Sequence, residues 1–171
     1  MDRKAQMLRG ARGGRWLALA VPVVAAVTVV AVAAGGSTAA KQRVAIDGKS
    51  KPSFDGTFTF VPLTAGALKA DSGKSSGSTA EPGPTIVRSN GQSANRYGGQ
   101  WSYAGANGTL NVSARLVAVA AGRNHNVITG TWKVLGSTGV YDGYKGGGTY
   151  VAVELPSGAW LFREEGYLTK G

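Results

Sequence analysis

The chain has no cysteine among its 171 residues. That absence excludes disulfide staples, cysteine metal sites, thiol nucleophiles and a lipoprotein anchor attached through cysteine. Histidine is nearly absent too: His125 stands alone between Asn124 and Asn126. A Ser-His-Asp triad would have to use it, and no G-x-S-x-G elbow is present to supply the nucleophile. A metal site built from several histidines is ruled out as well. Acidic residues number only nine, and none fall at the spacing of a calcium loop. Gly146-Gly147-Gly148 is not a phosphate loop, because no helical pattern follows it. No stretch after residue 40 repeats with helical period. No cofactor and no metal are expected.

What the chain does have is glycine, 27 residues of it, and a strongly asymmetric start. Residues 1–15 are basic, and residues 16–36 (WLALAVPVVAAVTVVAVAAGG) carry no charge before Lys41. Small residues close the run at Ala33, Ala34, Ser37 and Ala39, as a signal peptidase requires. The run is also long enough to span a bilayer, with the basic residues on the cytoplasmic side. Residues 1–40 are therefore read as a signal peptide or a signal-anchor. Either way the domain is extracytoplasmic, secreted or membrane-anchored, and touches the membrane only through this segment.

The formal charge is +10 overall; residues 1–40 hold five basic residues against Asp2, leaving +6 from 14 basic and 8 acidic residues. Along the sequence those 14 are scattered, and nucleic-acid binding calls for a concentrated stripe, so no nucleic-acid partner is expected.

The remainder reads as one all-β domain, residues 53–171, after a polar linker at 41–52. Residues 53–62 (SFDGTFTFVP) alternate, with Phe54, Phe58 and Phe60 on one face. Residues 64–99 are rich in Gly, Ser, Ala, Pro and Lys. They read as a long insertion, either a lid or a disordered loop, with disorder favoured by composition. Strands then recur at short spacing. Within residues 109–121, Leu110, Val112, Ala114 and Leu116 share one face. Two further strand-forming segments, residues 131–135 and 149–153, flank a corner punctuated by six glycines. About seven short strands at this spacing imply a sandwich or a barrel, and closure into a barrel would remove exposed edges.

The corner at residues 136–148 (GSTGVYDGYKGGG) is similar to the Gly-Gly-Thr/Ser-Gly-x-Phe-x-Gly…Gly signature of allene oxide cyclase and dirigent proteins. The early Phe54-Asp55-Gly56-Thr57-Phe58-Thr59-Phe60, the Gly130-Thr131-Trp132 strand and the closing Glu165-Gly166-Tyr167-Leu168 extend the likeness. Together they resemble small exported actinobacterial proteins of that barrel type. Ser137 replaces the second glycine of the signature, and Tyr141 stands where phenylalanine is usual. The resemblance implies an eight-stranded antiparallel barrel with an apolar cavity that orients a reactive small molecule for cyclisation or isomerisation. It implies no catalytic residue by position.

Residue by residue, chemistry would fall to Glu164 and Glu165, which alternation sends to opposite sides of the closing strand. A carboxylate inside an apolar cavity would have a raised pKa and could act as general acid or base; outside, it would pair with Arg163 or Arg115. The aromatics Trp101, Tyr103, Trp132, Tyr150, Trp160 and Phe162 are candidates to line a pocket, or else to fill the core. On the strand after the corner, Val151, Val153 and Leu155 form the more apolar face, so Tyr150 could point either way. Three functions stay open: an exported barrel binding a hydrophobic small molecule, a non-catalytic cell-envelope protein, and a cyclase of a secondary-metabolite pathway. Whether the protein is an enzyme, and whether it forms a homo-oligomer, is left open by the sequence.

Overall fold

The computed structural model describes residues 40–80, 83, 85–121 and 125–171. Residues 1–39 of the expected export segment lie outside the described residues. Among the described residues there is no helix long and apolar enough to cross a membrane.

Nine strands follow in order: β1 (Gln42–Ser50), β2 (Gly56–Pro62), β3 (Asp71–Thr79), β4 (Thr85–Val87), β5 (Ser93–Gly105), β6 (Gly108–Ala120), β7 (Asn126–Ser137), β8 (Tyr144–Glu154) and β9 (Trp160–Lys170). One turn of 3₁₀ helix, Gly139–Tyr141, separates β7 from β8. Hydrogen bonds order the strands β3-β2-β1-β9-β8-β7-β6-β5, and β5 pairs back onto β3. All these pairings are antiparallel, so the strands close an eight-stranded barrel. The short β4 pairs with the first residues of β5, beside this ring.

Period-2 alternation decides what fills the interior. Leu110, Val112, Ala114 and Leu116 of β6 are all buried, as are Phe58 and Phe60 of β2. Each large apolar side chain removed from water in this way contributes roughly 1.5–3 kcal/mol.

Two segments differ from their sequence reading. Residues 41–52, which read as a polar linker, contain β1, which pairs with both β2 and β9 and buries Val44 and Ile46 completely. Its outward positions carry Arg43, Asp47 and Lys49, and these charges hid an alternation that has few apolar residues to announce it. Residues 64–99, which read as a long insertion, either a lid or a disordered loop, contain β3, β4 and the first half of β5, and β3 closes the barrel by pairing with the second half of β5, residues 99–105. Its inward positions Gly73, Ser75 and Gly77 are small because large neighbours need the room. A Cβ on Gly77 would stand 2.4 Å from the Trp101 ring, and one on Gly99 would stand 2.0 Å from it. Low hydrophobicity here is what a strand looks like when its partner brings the bulk.

The corner that opens β8 shuts one end of the barrel. Gly139 holds φ 63°, a conformation that favours glycine, and starts the 3₁₀ turn that drives Tyr141 inward. The Tyr141 hydroxyl donates to Asp71 at 2.9 Å, and Asp71 also accepts from the backbone N–H groups of Ser72, Ala106 and Asn107. Tyr141, where the signature has phenylalanine, thus gives its hydroxyl a structural use. Beside it, Gln42 folds the β2–β3 connection inward by bonding the backbone of Thr64 and Leu68. The opposite end of the barrel stays open.

Candidate functional site

The open end forms a cup of about 440 Å³. Its floor and walls are Trp101, Leu116, Ile128, Tyr150 and Trp160, with Phe54 and Tyr97 nearer the rim. Polar groups border it: Thr79, Ser93, Asn95 and Asn126. Asn126 donates to the Glu154 carboxylate, and Asn95 accepts from the Thr85 hydroxyl at 2.8 Å. Among the described residues the Asn95 amide nitrogen has no hydrogen-bond partner, which leaves its donors at the border of the cup.

The ring system is ordered by register. Tyr150 points inward, opposite Gly130 on β7 and Glu164 on β9. The more apolar valine face of β8 is the outer one, with Val151 and Val153 about two-fifths exposed. Gly146 and Gly148, earlier on that strand, let its backbone approach β9 closely, because a Cβ on Gly148 would meet the Glu165 carbonyl at 1.8 Å. Tyr150 stacks on Trp101 with centroids 5.9 Å apart and on Phe162 at 6.3 Å. Phe162 and Phe58 in turn flank Tyr103. Of the six aromatics singled out from sequence, Trp101, Tyr150 and Trp160 line the cup. Tyr103 and Phe162 pack in the layer beneath it, and Trp132 is buried on β7 with its indole N–H unpaired.

Phe54 enters the cup from the β1–β2 turn rather than from a strand. It is the one non-glycine residue at positive φ (65°) among the described residues, and its ring meets Trp101 edge-on at 6.4 Å. A bulky residue held in that conformation is strained, and such strain gathers where a ring must be aimed. Sequence reasoning put Phe54 on the β2 face and had no signal for this turn. Tyr97, Asn95 and Asn126 were also missed, since they sit in segments that read as loop.

The two glutamates divide as alternation requires. Glu165 faces outward, where Arg163 and then Arg43 bond it and hold its carboxyl below the usual range. It belongs to a surface ion network that also takes in Asp47, and pairs of this kind add little stability. Glu164 faces inward and is completely buried. Tyr103 donates to its Oε1 at 2.9 Å, while Oε2 has no partner. Burial pushes its pKa up to about 8, against a smaller lowering by the Tyr103 bond, so it is mostly protonated at neutral pH. Burial, with Glu164 adding to it, raises the Tyr103 and Tyr150 phenols as well. Glu164 lies under the cup beside Tyr150 and does not line it.

Among the described residues, no three of His, Cys, Asp or Glu come together as a metal would need. Comparison with protein-family models, curated proteins and solved structures returned no match. The class that the geometry defines is a closed eight-stranded antiparallel barrel, sealed at one end and cupped at the other.

Proposed function

We propose that this barrel binds a hydrophobic small molecule in its open cup. The observation that carries the reading is the cup itself, about 440 Å³ of mainly aromatic and aliphatic wall under a polar rim. That volume lies in the range of ordinary ligand sites, and the pattern of apolar body with a few polar groups is theirs too. The ligand is an amphiphile whose apolar part lies against Trp101, Tyr150 and Leu116 and whose neutral polar group meets Asn95. Residues 1–40 would deliver the domain across the membrane, free or tethered.

The corner signature in its place between β7 and β8 supports a distant kinship with the allene oxide cyclase and dirigent barrels. On that kinship the cup would orient its ligand for cyclisation or isomerisation. Catalysis of that kind would rest on shape and aromatic walls, because Glu164 sits beneath the floor and Glu165 faces outward. The alternative of a non-catalytic cell-envelope protein draws on the outer surface, not the cup, and is separable from it.

Titration with the neutral apolar fluorophore 1-aminoanthracene tests the binding. Saturable enhancement is expected, displaced by long-chain amphiphiles and lost in Ala118→Trp, which fills the cup from β6. Equal binding by that variant, or none by the parent chain, would overturn the reading.

A further inference from the structure

The outward strand positions of the barrel are electrically divided in a way the linear sequence conceals, with Asp55 of the β1–β2 turn as a carboxylate bordering the β3 side. Of the acidic side chains on outward strand positions, Asp47 and Glu165 lie on β1 and β9 and are paired with Arg43 and Arg163. The outward positions of β3, β5, β6 and β7 hold Lys74, Arg96, Arg115 and Lys133 and no acidic residue at all. Among the described residues none of these four makes a salt bridge, and all four are exposed.

Register arranges three of them in a row. Arg115 stands opposite Thr131 on β7, two residues from Lys133, and opposite Gly98 on β5, two residues from Arg96. Lys133, Arg115 and Arg96 are therefore successive diagonal neighbours on one face, with steps of about 7–8 Å at the strand level. Beside this row runs a trough of about 570 Å³ walled by Ser78, Gln100, Ser113, Arg115 and Lys133. Gly98 and Gly99 form part of it, and a Cβ on Gly98 would meet nothing nearer than 4.0 Å. A smaller hollow of about 280 Å³ continues it between Ser113, Arg115, Thr131 and Lys133, with buried Trp132 beneath them.

We infer that this face binds a linear polyanion whose charges are phosphates on a flexible, base-free backbone. A diagonal line of cations answers a line of anions, and the hydroxyl and amide groups of Ser78, Gln100 and Ser113 can bond phosphate or polyol oxygens. A nucleic acid fits less well, because none of the outward positions on β3, β5, β6 or β7 is aromatic, and the one ring bordering the smaller hollow, Trp132, is too deeply buried to offer a face to a base. This goes beyond the cup: the trough lies on the outer side of its wall, so either site can fail without the other.

The test uses the full-length chain and labelled poly(glycerol phosphate), with inorganic polyphosphate, oligo(dT) and heparin as competitors. Binding is expected to weaken with salt, with a log–log slope near −2, from three contacts at about 0.7 each. Arg115→Gln with Lys133→Gln should remove about 1.4 of that slope and at least tenfold in affinity. Gly98→Thr, which fills the trough without changing charge, should weaken binding without altering the slope by more than a few tenths. Both variants should retain 1-aminoanthracene binding, which reports an intact barrel and an intact cup. Stronger competition by polyphosphate than by unlabelled polymer would identify free polyphosphate as the source; the reverse would identify an envelope polymer. Tighter binding of oligo(dT) or heparin, no binding at low salt, or an unaltered Arg115/Lys133 double variant would overturn the inference.

Discussion

Glu164→Gln is the perturbation whose consequence can be worked furthest. In the folded barrel the carboxyl has its pKa pushed up to about 8 by burial, against 4.5 in the unfolded chain. Between those values the folded state keeps a proton that the unfolded state gives up. Stability from this group is therefore complete below about pH 4.5 and is lost as pH rises through about 8. The span is about 3.5 pH units at roughly 1.36 kcal/mol each, or about 5 kcal/mol in all. That is a large part of the 5–15 kcal/mol typical of a domain, so it is measurable. Glutamine cannot ionise, and its carbonyl can still accept the Tyr103 hydroxyl. Its amide replaces an oxygen that already lacks a partner, at a cost of about 1–3 kcal/mol. The variant should be less stable than the parent at pH 4.5 by that amount and more stable at pH 8 by about 2–4 kcal/mol. Urea denaturation from pH 4.5 to 9 gives the curve, and subtracting variant from parent cancels the surface carboxylates. A flat difference would show that Glu164 is solvated or ionised in the fold and would refute the reasoning. So would a difference that favours the parent more strongly as pH rises.

Other consequences follow from packing. Tyr141→Phe keeps the ring but leaves Asp71 with only its backbone donors, so it should cost roughly 1.5–3 kcal/mol by chemical denaturation. Gly77→Ala forces a methyl group against Trp101 and should destabilise by about 1–3 kcal/mol. A neutral result there would mean β3 is not seated in the barrel wall. Phe54→Gly removes both a positive-φ strain and a wall of the cup. Stability should hold or rise by about 1 kcal/mol while 1-aminoanthracene binds several-fold more weakly.

Legibility in the sequence followed apolar alternation. β2 and β6 announce themselves because Phe58 and Phe60, or Leu110 through Leu116, repeat at every second position. The closing strand's parity correctly split Glu164 from Glu165, though only the register with Tyr150 and Ile46 decides which faces in. β1 and β3 escaped because their inward sides are wholly or partly small or polar: Gln42, Gly48 and Ser50 beside only Val44 and Ile46 in one, Gly73, Ser75 and Gly77 in the other. At those small and polar positions burial is set by bulk arriving from other strands, information absent from the strands' own residues. Tyr150 was ambiguous because the more apolar face of β8, with Val151 and Val153, is the outer one. The basic row escaped most completely. Arg96, Arg115 and Lys133 are far apart along the chain, and only two antiparallel registers, β5 on β6 and β6 on β7, make them neighbours.

If the cup, and not the deeper interior or the surface, receives an apolar ligand, its tryptophans will report the binding. The chain has four tryptophans, Trp16, Trp101, Trp132 and Trp160, each giving one indole N–H resonance. In a proton–nitrogen correlation spectrum recorded during titration with a long-chain alcohol, the Trp101 and Trp160 signals should shift together and saturate. Trp132, buried and outside the cup lining, should stay in place. Stationary Trp101 and Trp160 signals, or a shift confined to Trp132, would contradict binding in the cup.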